Sequence, residues 1–144
     1  MRLLCYKTVL WSVICLLWAT TLAGCAPKEL LEAEYFLGLF EKEASGYGVI
    51  VDTSVITVLH RPFLRGRWAQ CYGNVLVLND MVWEQLSNTR RKMVVYHEVG
   101  HCICGFAHRA PSLMQSFLPG EQKFSDNEAW YMDEFFSEEC DGAL

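Results

Sequence analysis

Two histidines four residues apart, His97 and His101, with Glu98 beside the first, constrain this chain more than any other feature. Side chains at positions i and i+4 share a face only on a helix, where four residues advance roughly 6 Å and return to within about 40° of the same direction. On such a helix both imidazoles reach one Zn²⁺ at about 2.0–2.1 Å. A carboxylate at Glu98 lies next to that face, where it can hold a water molecule and take its proton. The bland alternative is a solvated helix face with two incidental histidines. The flanking residues favour a helix. Ser87, Asn88 and Thr89 offer N-cap oxygens before it and Gly105 is placed to end it, so the pattern predicts a helix from near Thr89 to about Cys104.

A catalytic zinc needs a third protein ligand and one open position. His108 follows Gly105 as Gly-x-x-His: the glycine ends the helix and a histidine returns towards the metal. Ser112-Leu113-Met114 comes next, after Pro111 in a turn-prone stretch. Rival third ligands exist. Cys104 falls on the ligand face if the helix persists, although a disulfide or a buried thiol is the plainer reading. Glu128 is the other rival, but within Ser125-Asp126-Asn127-Glu128 it also completes a capping box for a last helix. His60 reads as a structural or surface histidine.

With these residues in view, the segment resembles the metzincin zinc metallopeptidases, whose pattern is H-E-x-x-H-x-x-G-x-x-H followed by a methionine-containing turn beneath the metal. The resemblance implies His97, His101 and His108 as ligands of one zinc ion, Glu98 as the general base and Met114 as the Met-turn. A small group of bacterial metallopeptidase-like sequences with H-E-L-G-H-C here is similar over roughly residues 70–140, including the strand Val75–Leu78, Trp83, Cys102 and Ser112-Leu113-Met114. This chain departs from the metzincin pattern in two ways. His101 and His108 are seven residues apart rather than the pattern's six, so the turn at Gly105 must absorb one residue. Gln115-Ser116-Phe117 also stands where metzincins often carry a tyrosine. Glu128 is similar to the distal glutamate of the gluzincin peptidases, but the aspartate that follows it there by four residues is here five on, at Asp133.

The start of the chain reads as an address. Arg2 and Lys7 precede an uncharged apolar run that ends at Leu22-Ala23-Gly24-Cys25, and 17 of the first 24 residues are hydrophobic. This tetrapeptide resembles the bacterial lipobox, which implies cleavage before Cys25 and lipidation of that residue. By the same resemblance Ala26 goes with outer-membrane retention in a host with two membranes. The expected division is therefore a signal peptide at 1–24 and one domain at 25–144. Loss of Arg2 and Lys7 leaves 10 basic against 17 acidic residues, net −7 against −5 for the whole chain. That balance argues against a nucleic-acid partner, which would need clustered Lys and Arg.

Of seven cysteines, Cys5 and Cys15 lie in the leader, and Cys71, Cys102, Cys104 and Cys140 remain after Cys25. An even count in an exported domain suggests disulfides, and four cysteines allow three pairings. The family context points to Cys71–Cys102, pinning sheet to helix, with Cys104–Cys140 tying down the last helix.

The rest of the pattern predicts a helix over Glu29–Ala44 and strands at Val49–Val51, Val55–Leu59, Arg67–Cys71 and Asn74–Leu78. A short helix follows at Asp80–Leu86, and a last one opens at the capping box and runs to about Phe136. The aromatic residues Trp68, Tyr72, Trp83, Trp130, Tyr131, Phe135 and Phe136 read as core. The expected fold is α+β: a small zincin-like domain whose sheet packs on the H-E-x-x-H helix, with a C-terminal helix. The resemblance implies a lipid-anchored endopeptidase of the bacterial envelope acting on peptide or protein substrates. The alternatives are a non-catalytic zinc-binding envelope lipoprotein and a gluzincin-type peptidase with Glu128 as third ligand. By analogy, the strand Asn74–Leu78 could align an extended substrate by edge pairing.

Overall fold

Alternating β-branched and leucine residues at 75–79 build the central strand of a three-stranded mixed sheet in the computed structural model, which describes residues 28–62, 66–138 and 140. The leader, the lipobox and Cys25 lie outside the described residues. The sheet comprises β1 (Thr57–Arg61), β2 (Ala69–Tyr72) and β3 (Val75–Asn79) in the order β1-β3-β2. β1 runs parallel to β3, with Thr57 opposite Val75 and Arg61 opposite Asn79. β2 is antiparallel to β3, with Ala69 opposite Leu78 and Tyr72 opposite Val75. Gly73, at φ +55°, and Asn74 make the tight turn between them. Leu76 and Leu78 face the core and are fully buried.

This order corrects the expected substrate-aligning strand. Asn74–Leu78 forms most of β3, which is paired on both sides, so it offers no edge; β2 is the edge strand on the side of the histidine helix. Val49–Val51 is likewise not a strand. It is irregular and leads into a single 3₁₀ turn at Thr53–Val55, where Asp52 accepts from the Ser54 amide at 2.9 Å.

The helices are α1 (Lys28–Gly46), α2 (Asp80–Trp83), α3 (Asn88–Cys102), α4 (Glu121–Asp126) and α5 (Glu128–Phe136). The α+β class expected from the pattern is what the described residues form. Ser87 caps α3, accepting from the Arg90 amide at 3.1 Å. α1 lays Ala33, Phe36, Leu37, Phe40 and Ala44 against the core. Phe40 is fully buried and meets Tyr96 edge-on at 5.0 Å and Phe135 at 5.8 Å, tying α1 to α3 and α5. Each such aromatic contributes about 1.5–3 kcal/mol through burial alone.

The capping box at 125–128 does not form. Asn127 separates α4 from α5 with no side-chain cap, and Glu128 instead accepts from Lys92 Nζ at 2.7 Å. The ammonium of Lys92, nearly buried in α3, also holds Glu43 at 2.7 Å and thereby joins three helices. Lys92 thus engages the carboxylate that the capping box would have used, although the Glu128 side chain remains 44% exposed. Among the aromatics, Trp83, Tyr131, Phe135 and Phe136 are core as expected, whereas Tyr72, Trp130 and Trp68 are exposed.

Cys71 is joined to Cys102, and Cys104 to Cys140, with Cα separations of 5.7 and 4.4 Å. The first bridge ties edge strand β2 to the end of α3. The second ties the turn after α3 to the segment beyond α5.

Gly100, between the two helix histidines, has a packing reason. A Cβ there would meet Met114 Sδ at 2.6 Å and Phe135 Cζ at 3.1 Å. Met114 is fully buried, so its thioether would have to shift within the core. Gly100→Ala is expected to lower stability by about 1–2 kcal/mol, the overpacking cost exceeding the gain in helix propensity. Urea unfolding that finds the variant as stable as wild type would contradict this packing.

Candidate metal centre

α3 fixes the first two histidines of the centre. Phased by one turn, His97 and His101 project from the same face, and their Nε2 atoms lie 3.2 Å apart. Both rings are oriented by backbone. His97 Nδ1 donates to the Leu113 carbonyl at 2.7 Å, and His101 Nδ1 to the Phe106 carbonyl at 2.6 Å. A carbonyl can only accept, so each Nδ1 carries the proton and each Nε2 presents a lone pair. Burial pushes the pKa of His97 down to about 4, against the Leu113 bond and with help from the other two rings. Burial lowers His101 as well. Both shifts favour the neutral ring, whose free Nε2 could bind a cation.

The third histidine arrives through the turn after α3. Gly105, at φ +67°, adopts the left-handed conformation that glycine tolerates. The Phe106 amide then reaches back to the Gly100 carbonyl at 2.9 Å, one residue further than the usual helix-end closure from C″ to C3. That wider turn absorbs the extra residue between His101 and His108. It places His108 Nε2 3.1 Å from His101 Nε2 and 3.2 Å from His97 Nε2. The three rings therefore converge as expected.

The segment that supports this platform is closed on itself. Ser112, fully buried, donates to the Arg109 carbonyl at 2.9 Å and accepts from the Met114 amide at 2.9 Å. The Arg109 amide donates to the Met114 carbonyl at 2.9 Å, and a cis Ala110–Pro111 bond lies inside the loop. Met114 thus packs beneath α3 at Gly100, while the neighbouring Leu113 supplies the carbonyl that orients His97. The Arg109 guanidinium holds this loop to α5 and the segment after it through Glu134, at 3.0 Å, and Glu138.

The donor set fits a metal ion. Two facing lone pairs 3.2 Å apart cannot hydrogen-bond to each other, and one proton on His108 cannot serve both equally. A cation satisfies all three at once. With ligand bonds of about 2.0–2.1 Å, nitrogens at this spacing subtend roughly 100° at the ion, near tetrahedral. Exposure rises from buried His97 through half-buried His101 to exposed His108, so the centre opens towards solvent.

Glu98 projects one residue round from His97, towards β2, and Cys102 lies one turn beyond it on the same side. Cys102 meets Cys71 through the disulfide, and the Cys71 backbone N–H acts on the Glu98 carboxyl. Burial pushes the Glu98 carboxyl up to about 7, against the pull of that N–H and of the Arg67 charge. A cation at the histidines would oppose this rise. Glu98 and the three histidines line one cleft of about 640 Å³.

The rivals are placed elsewhere. Cys104 is consumed in its disulfide, and Glu128 is bonded to Lys92. The gluzincin arrangement is therefore not what the structure brings together. His60 Nδ1 lies 2.7 Å from Asp80 and has a structural role. Sequence reasoning missed the carbonyls of Phe106 and Leu113, which no residue type announces. It also missed the cleft walls: Arg67, Trp68 and Gln70 on one side, and Ser116, Phe117 and Leu118 on the other. The exposed Phe117, where a tyrosine was looked for, was the available signal.

Compared with protein-family models, with curated proteins and with solved structures, the chain has no match. The geometry therefore carries the functional argument alone. In zinc titrations followed by calorimetry, the protein is expected to take up one ion. His108→Ala should weaken binding at least about 100-fold, since even loss of outer-shell partners costs 10–100-fold. Glu128→Ala should leave it unchanged. The reverse ranking would mean that Glu128, not His108, completes the site.

Proposed function

We propose that this chain is a zinc-dependent endopeptidase of metzincin-like type, held at the bacterial cell envelope by lipid on Cys25. The observation that carries the reading is the convergence of His97, His101 and His108 in one wall of a cleft that also holds Glu98. A zinc ion held by His97, His101 and His108 would supply Lewis acidity towards the scissile carbonyl and would acidify the attacking water.

The chain's own groups do the rest. The Leu113 and Phe106 carbonyls keep two of the ligand rings in the tautomer that frees Nε2. The Glu98 carboxylate accepts the proton of the attacking water and returns it to the departing amine. Edge strand β2 runs along the cleft, and an extended peptide laid against it would gain backbone hydrogen bonds, which favour polypeptide over small substrates. The Met114 loop supports the centre from beneath.

The envelope assignment rests on the lipobox and on disulfides that suit an oxidising compartment. Among the described residues no helix is long and apolar enough to cross a membrane.

Glu98→Gln preserves shape and removes the base. It is expected to lower cleavage of an unfolded protein by about 10²–10⁴-fold while zinc content stays at wild-type level. Chelation should abolish wild-type cleavage, and added zinc should restore it. Undiminished cleavage by the glutamine variant would eliminate the mechanism; zinc uptake by wild type without cleavage would favour a non-catalytic zinc-binding lipoprotein.

A further inference from the structure

Arg67 stands apart from the other basic residues of this acidic chain. It is the sole basic side chain among the described residues lining the cleft, other than the histidines. Arg90, Arg91, Lys92 and Arg109 are each engaged with carboxylates or backbone carbonyls. The Arg67 guanidinium is exposed and makes no ion pair or side-chain hydrogen bond with any described residue. It lies near enough to Glu98 for the two charges to interact.

Its backbone is nevertheless fixed. Buried Asn79 donates through Nδ2 to the Arg67 carbonyl at 2.9 Å, and the Asn79 amide donates to the Trp68 carbonyl at 2.9 Å. The last residue of the central strand thus holds the segment carrying Arg67 in the lining of the cleft, just before edge strand β2. Apolar groups stand nearby in the same cleft: Trp68, Val94, Phe117 and Leu118. Phe117 is 89% exposed, so its ring is open to an apolar group bound in the cleft.

An exposed guanidinium carried on a held backbone beside the three histidines can receive a carboxylate, because its fork of donors matches two carboxylate oxygens. The geometry points to Arg67 as the specificity residue of this cleft, selecting peptides that carry a carboxylate close to the scissile bond beside an apolar side chain. The carboxylate can be the peptide's own C-terminus or an Asp or Glu side chain. The inference rests on the endopeptidase reading only in assuming that the cleft takes peptide. A requirement for the C-terminal carboxylate would turn that reading towards cleavage near chain ends.

The test uses chelated, metal-free protein, so that no carboxylate can be held by zinc instead. Three fluorescent peptides share an apolar core: one with a free C-terminus, one amidated, and one amidated with an internal Glu. Their binding is followed by fluorescence polarisation. At least one carboxylate-bearing peptide should bind about tenfold more tightly than the neutral one, a ratio typical of a charge-assisted hydrogen bond. Which of the two does so identifies the source. Arg67→Gln should erase the preference, and Arg67→Lys should keep part of it. Equal binding of all three, binding of none, or a preference that survives in Arg67→Gln overturns the assignment. Zinc-loaded wild type is then assayed for cleavage of the same peptides. Cleavage without carboxylate preference removes the role of Arg67 and keeps the peptidase; preference in binding without cleavage does the opposite.

Discussion

The Nε2 atoms of His97, His101 and His108 stand 3.1–3.2 Å from one another, and much of the fold holds that spacing. Two of the rings cannot turn away, because each Nδ1 is bonded to a backbone carbonyl. Left alone, the facing lone pairs repel. The arrangement is stable only because the elements bearing it are tied together, and it becomes favourable once a cation lies between the rings. Uptake of a metal ion there would be linked to the folding energy that assembles the site.

The ties come from three directions. Below, Met114 packs into the space left by Gly100, and Phe135 of the last helix closes the same contact. To one side, Cys71 is bridged to Cys102 and so keeps edge strand β2 beside Glu98. At the far end, the Cys104–Cys140 bridge and the ion pairs of Arg109 fasten the loop carrying His108 and Met114 to α5 and the residues just after it. A small domain has a limited core, and disulfides constrain its unfolded state where burial is scarce. Here both bridges begin within α3 or the turn after it, so the stabilisation falls where the ligand geometry needs it.

Much of this centre was legible in the sequence because its rules are local. The i, i+4 histidines require a helix, Gly105 can take a positive φ, and Ser112 and Met114 close a short loop. What was not legible depends on distant partners. Asn74–Leu78 carries a strand pattern, but only the pairing of β1 from far upstream makes it central rather than an edge. Ser125 to Glu128 spells a capping box, yet Lys92 of α3 captures Glu128. Trp68 and Tyr72 look like core residues, but β2 exposes Tyr72 and leaves Trp68 in the wall of the cleft. The carbonyls of Leu113 and Phe106 are functional groups that every residue carries, so their role follows from position alone.

The central claim is that three imidazoles, and no thiolate, hold one zinc ion. X-ray absorption at the zinc edge, on protein loaded with one equivalent, tests it most directly. The account predicts a single shell of light scatterers, nitrogen or oxygen, at about 2.0–2.1 Å, with the outer-shell pattern of three imidazoles. A sulfur shell near about 2.3 Å, or fewer than three imidazoles, would contradict it.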